Sequence, residues 1–237
     1  MTPLITDLLH RRARSQGADP LITYYDLDTD ERTELSATSF LNWVDKTSNL
    51  LVDELLLDAG AVIDLELARS HPGHWMTLVL EAAAWQVGAV VRVATAGPSD
   101  LLVLGPDWES HDRDGAEAVL ACSLHPLGLG FPAALPSDVM DFSLEVRGQG
   151  DHHSPAARSS EELAWVDDER ELTQGELVSG ATGQGSLRRL VRVVDPWSSV
   201  RDGLLMPVAT GGSAVLVRGD DPQRLDRLIV SERIAAP

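Results

Sequence analysis

Residues 73–93 read GHWMTLVLEAAAWQVGAVVRV, and the architecture follows from this segment. Trp75, Leu78, Val79, Ala82 and Trp85 recur at the three- and four-residue steps of one helical face, which predicts a helix over 73–87. The apolar run 89–93 follows directly and reads as a short buried strand. Upstream, Gly60 closes a helical region and 61–67 reads as another strand. Strand, helix and strand in succession are the unit of a parallel sheet with helical crossovers. The predicted class is α/β, with mixed or mainly parallel sheets flanked by helices.

The same periods extend outward. Thr2-Pro3 caps a first helix that ends near Gly17. Segments 21–26 and 32–35 form a hairpin turning at Asp28-Thr29-Asp30. Ser36 opens a long helix with Phe40, Leu41, Val44, Leu51 and Leu55 inward, and Asp45, Lys46 and Asn49 outward. Downstream, 101–104, 118–122 and 142–146 read as strands, and the Gly/Pro-rich stretch 126–136 as loop. Residues 148–160 are polar and without periodicity, which predicts a flexible connection between a first lobe, 1–147, and a smaller second lobe, 161–237, either as separate lobes or as two lobes of one compact domain. In that second part, 163–166, 190–194 and 214–217 are predicted strands, and 200–209 a helix. Thr173 and Glu176 fit a capping box. Gly211-Gly212 form a turn, and Asp221-Pro222 cap a last helix with Leu225, Leu228 and Ile229 inward.

Charge excludes several partners. The 237 residues hold 37 Asp and Glu against 19 Lys and Arg, a formal net charge of −18. That excess repels nucleic-acid backbones and anionic membrane surfaces, so neither is an expected partner. The most apolar stretch, 75–93, is interrupted by Glu81, Gln86 and Arg92, too polar a pattern for a membrane span. A single cysteine, Cys122, forms no internal disulfide and reads as a small buried hydrophobe. With no secretory pattern at the N-terminus, the expected location is the cytoplasm.

Chemistry-bearing motifs are few. The pairs His71/His74 and His152/His153 have no Cys or Glu at a supporting spacing, so no metal site is expected; the first pair reads as a loop entering a helix. The run Asp167-Asp168-Glu169 reads as a solvated turn. The segment from Ser179 through Gly180, Thr182, Gly183 and Gly185 to Ser186 approaches a Walker A loop but lacks its lysine. Its two readings are a phosphate cradle without a point charge and a plain glycine turn before the next strand. The turn is the favoured one.

Taken together, several segments resemble the N-terminal part of the adenylate-forming enzymes, the superfamily of acyl-CoA synthetases, luciferases and peptide-synthetase adenylation domains. The carriers are Pro20-Leu21-Ile22-Thr23-Tyr24 with the helix after Ser36, the alanine-rich helix running into Gly88-Ala89-Val90, Leu172-Thr173 to Leu177, and 204–217, LLMPVATGGSAVLV. More narrowly, the chain resembles a short actinobacterial family of this layout, and its eighteen arginines against a single lysine, Lys46, agree with a GC-rich genome. The resemblance implies a phosphate-wrapping Ser/Thr/Gly-rich loop ending Pro-Lys-Gly after the strand 163–166. Here that strand runs instead into Asp167-Asp168-Glu169-Arg170-Glu171. The resemblance also implies a ribose-binding aspartate and a C-terminal catalytic lysine, for which no counterpart is expected within these 237 residues, and Lys46 does not match the latter.

The expected function is therefore a non-catalytic relative serving as a binding or protein-interaction module, with no cofactor. A homo-oligomer or a protein partner is expected, and a ligand pocket, if kept, near Trp197, Gly211 and Gly212; the favoured reading of those three residues is a core tryptophan and a plain glycine turn. The alternative is a residual acyl- or nucleotide-binding enzyme built on Ser179, Gly180, Thr182, Gly183 and Gly185.

Overall fold

The structure is a computed structural model that describes residues 3–93, 97–181 and 185–234. Two sheets organise it. The smaller contains β1 (Pro20–Asp26), β2 (Glu31–Ser36), β10 (Arg188–Arg192) and β11 (Ser213–Arg218), in the order β10-β11-β1-β2. The larger has the order β7-β6-β5-β3-β4-β8-β9, built from β3 (Val62–Leu65), β4 (Val90–Arg92), β5 (Ser99–Leu104), β6 (Ala116–Ala121), β7 (Met140–Asp141), β8 (Leu163–Val166) and β9 (Glu171–Thr173). Pairing is parallel except in the two hairpins, β1–β2 and β8–β9.

The predicted class holds, and its centre is the segment read first. Helix α4 (Trp75–Val87) is buried along its whole length, as a helix apolar on every side must be. It ends at Gly88, whose φ of 78° is the left-handed geometry that closes a helix without a Cβ clash. Helices α1 (Ile5–Gln16) and α2 (Ala37–Asn49) pack against it, and α2 closes in a π-helical turn, Leu50–Glu54. One core joins these helices to both sheets: Ile22, Tyr24 and Leu216 from the smaller, Ile63, Leu101, Val91 and Trp165 from the larger. Alternate residues face outward. Leu102 and Leu104 of β5 pack with Trp108 and Val139. Val215 and Val217 of β11 pack with Leu225 and Leu228 of α9 (Pro222–Ser231).

Three expectations are corrected. Residues 142–146 form not a strand but helix α5 (Phe142–Arg147): the Asp141 carboxylate accepts from the Ser143 and Leu144 amides, and Phe142 and Val146, four apart, share the buried face. Strand pairing joins chain segments on either side of 148–160, β1 with β11 and β4 with β8. The start of that segment is attached. Lys46 Nζ reaches the Gln149 carbonyl and Asp151 Oδ1, both at 2.6 Å, and Asn49 Nδ2 donates to the Gly150 carbonyl at 2.9 Å. Asp45 is buried rather than outward, taking a 2.8 Å hydrogen bond from Gln86 Nε2. In α9, Ile229 is exposed, so only Leu225 and Leu228 face in.

Candidate functional site

In a wound α/β sheet, ligands bind outside the carboxyl ends of the strands. Here a cleft of about 510 Å³ lies at the carboxyl ends of β4, β8 and β10. Its walls are Arg69 of α3 (Glu66–Ser70), Val93, the hairpin turn Asp167 to Arg170, and Asp195, Pro196 and Trp197 at the start of α7 (Pro196–Val200).

The hairpin turn is closed on itself. The Asp167 amide donates to the Arg170 carbonyl at 2.9 Å, joining β8 to β9. The Asp167 carboxylate then takes Trp165 Nε1 at 2.9 Å, the Glu169 amide at 2.8 Å and an Arg170 guanidinium nitrogen at 2.9 Å. Burial pushes this carboxyl up, but those three donors outweigh it and hold Asp167 below the usual aspartate range. Arg170 is also paired with Glu169 at 2.7 Å, and its guanidinium lies 5.8 Å from the Trp197 ring centroid. Trp197 packs on Trp165 at 5.4 Å between centroids. The Asp195 carboxylate accepts the Ser198 amide at 2.9 Å, and Pro196 begins α7. The lining thus carries four carboxylates, Asp167, Asp168, Glu169 and Asp195, against the guanidinium groups of Arg69 and Arg170.

Beside the cleft, Arg92 at the end of β4 bonds the buried Asp64 of β3 at 3.1 Å, and Arg69 stands 3.9 Å from the other Asp64 oxygen. Arg92 also donates to the Gly97 and Pro98 carbonyls. Sequence reasoning missed this group; its trace was a lone aspartate inside the apolar run 61–67 and an arginine closing 89–92.

The pocket expected near Trp197, Gly211 and Gly212 is split in two. Trp197 opens the helical crossover that leaves β10, and Gly211-Gly212 end it before β11, so they lie at opposite ends of parallel strands. Gly211 and Gly212 line a second cavity, of about 490 Å³, with Arg12, Ser186 and Arg188. Of the glycine-rich segment, Ser179 ends α6 (Gln174–Ser179) with its hydroxyl on the Glu176 carbonyl, and Gly180 is that helix's cap. The Thr173–Glu176 capping box that opens α6 is formed. Gly185 is exposed with φ 68°, while Thr182 and Gly183 lie outside the described residues.

The remaining candidates lie elsewhere in the fold. Cys122 is fully buried, which pushes its thiol far above the range of a reactive thiolate. His74 caps α4 by accepting the Met76 amide at 3.2 Å, and burial lowers its pKa. His71 is lowered to about 4 by burial, with Arg218 and His74 adding to the effect. Among the described residues, no three His, Cys, Asp or Glu side chains are placed to hold a metal ion. None of the described helices is long and apolar enough to cross a membrane.

Solved structures share this fold. The acyl-CoA synthetase of Brucella canis superposes with a TM-score of 0.76 at 14% identity, over 98% of this chain and 46% of its own. The anthranilate CoA ligase AuaEII, solved in complex with anthranoyl-AMP, gives 0.72 at 12%, over 98% and 48%. The N-terminal domain of FACL13 from Mycobacterium tuberculosis gives 0.68 at 16%, over 98% and 62%. The fold is that of the N-terminal domains of adenylate-forming enzymes, and the chain spans about half the length of the complete synthetases and ligases it matches. No protein-family model matches it. A TIGR03089 family protein of Mycobacterium tuberculosis strain H37Rv is 32% identical over 243 residues, covering 98% of this chain and 97% of the relative. The chain belongs to the TIGR03089 family.

Proposed function

We propose that this protein is a non-catalytic member of the adenylate-forming fold, a cytoplasmic binding or interaction module that does not activate acids with ATP. The observation that carries the reading is the β8–β9 turn. A phosphate loop works by presenting several free amides and a cation to the triphosphate. In this turn the Asp167 and Glu169 amides are already bonded within the turn, and its side chains are mostly carboxylates. A phosphate group placed there would meet repulsion of about 4 kcal/mol for each carboxylate at 4 Å in a partly screened site. Arg69 and Arg170 offset this only in part, two guanidinium groups against the four carboxylates of the lining. The cleft keeps one feature suited to a ligand, the Trp197 face at the carboxyl ends of the strands.

Acid-dependent exchange of pyrophosphate into ATP tests the proposal. The expected result is no exchange above the protein-free blank with aliphatic, aromatic and amino acids. Exchange that depends on one of these acids overturns it. A thermal-shift series with the same acids then reads ligand binding: a ligand at a hundredfold excess over its Kd stabilises by about 2.7 kcal/mol.

A further inference from the structure

We propose that the second cavity, at the amino ends of β10 and β11, is a binding site for a phosphate group. Its central residue is Arg12 of α1, only 6% exposed. The Arg12 guanidinium donates to the Gly211 carbonyl at 2.8 Å and the Gly212 carbonyl at 3.3 Å, while its Nε has no partner among the described residues. No carboxylate lies within 4 Å of it among those residues. Two carbonyl dipoles balance a buried cation only in part, and such a charge is stabilised by a full counter-charge beside it. The open volume of about 490 Å³ that Arg12 lines is the place for one.

The lining supports a phosphate more than a cation. Ser213 Oγ accepts from Arg188 at 3.3 Å, which leaves its own hydrogen free to donate. Ser186 stands next to Gly211: a Cβ built on Gly211 would lie 3.9 Å from the Ser186 Cβ and 3.7 Å from Arg12. A Cβ would fit there at ordinary contact distance, and what calls for glycine is the left-handed φ of 76° in the turn. Arg233, exposed on the rim, has no side-chain partner among the described residues. Three carboxylates also line the cavity. Glu34 and Glu232 are held by Arg32 and Arg188, and Asp19, with no ion pair among the described residues, acts on Arg12 through its charge. The site joins the end of the glycine-rich segment to the Gly211-Gly212 turn, two motifs that the sequence offered separately. It lies at the end of the strands opposite Trp197, so it is independent of the cleft.

The test uses the whole chain, with inorganic phosphate as probe and sodium chloride at matched ionic strength as control, read by calorimetry and thermal shift. Saturable binding of phosphate beyond the chloride control is expected. Arg233→Ala weakens it about tenfold, the loss of one charge-assisted contact. Asp19→Asn tightens it about threefold by removing the unpaired negative charge. Both side chains are exposed, so an unchanged melting temperature without phosphate certifies the fold. No response beyond chloride overturns the site, as does a response that both variants leave unaltered. The pyrophosphate exchange assay is blind to this cavity, and an ATP-induced thermal shift that Arg233→Ala abolishes reports this site and not the cleft.

Discussion

The two ends of the parallel strands compensate their charges in opposite ways. At the carboxyl ends, Asp167 collects an indole, an amide and a guanidinium, and Arg170 is shared between Asp167 and Glu169. At the amino ends, the hydrogen-bond partners of Arg12 among the described residues are two backbone carbonyls, with Asp19 acting only through charge. The first end is saturated by its own chain and the second is not. A fold that places ligands at the carboxyl ends has here turned that end into a self-bonded acidic hairpin. What the contrast teaches is that topology sets where a crevice lies, while the partners of a few charged groups set what it can hold.

Three substitutions break or sharpen this contrast, beginning with the largest effect. Trp165→Ala removes a fully buried indole that holds both Asp167 and Trp197. It is expected to cost about 3–5 kcal/mol in chemical denaturation and to leave phosphate binding at the amino ends intact. Loss of both together would show that the two ends are one unit.

A smaller effect belongs to the histidines at the start of α4. His71 titrates near 4 in the folded chain and near 6.5 when unfolded, so between those values the unfolded chain binds more protons. Its contribution is complete above pH 6.5 and is lost as the pH falls towards 4. Buried His74 acts in the same direction. His71→Gln should therefore flatten the stability profile between pH 6.5 and 4; an unchanged slope would remove His71 from the balance.

Sequence legibility followed contact distance. The 73–93 segment was readable because every cue is local: apolar residues all round, then Gly88 to stop the helix. Residues 142–146 misled because Phe142 and Val146 serve equally as alternate strand positions and as an i, i+4 helical pair; only Asp141 as a cap separates the two. Asp45 was placed outside because its partner Gln86 comes from another helix. For the sites, Trp197 and Gly211 are close in sequence, but a crossover between parallel strands carries the chain from one end of the sheet to the other. A helical run over 196–210 spans about 20 Å. Arg12 gave no signal at all, since it meets the Gly211 and Gly212 carbonyls only in the folded chain.

The smallest expected effect is the most discriminating. Arg170→Ala removes two exposed-side ion pairs and a cation–π contact to Trp197, and screening limits the loss to about 0.5–1 kcal/mol. Its pH dependence carries the information. Asp167 is held below its ordinary value partly by Arg170, so its contribution is present above the unfolded aspartate pKa and is lost as the pH falls through the folded one. Without Arg170 the folded value rises towards the unfolded one, and the acid limb of the stability profile becomes shallower. The cleft is then more negative, so the variant should remain inactive in pyrophosphate exchange. If Arg170→Ala instead gained an ATP-dependent response that survives Arg233→Ala, the hairpin would be a plug over a usable phosphate site, and the contrast between the two ends would be one of occupancy and not of chemistry.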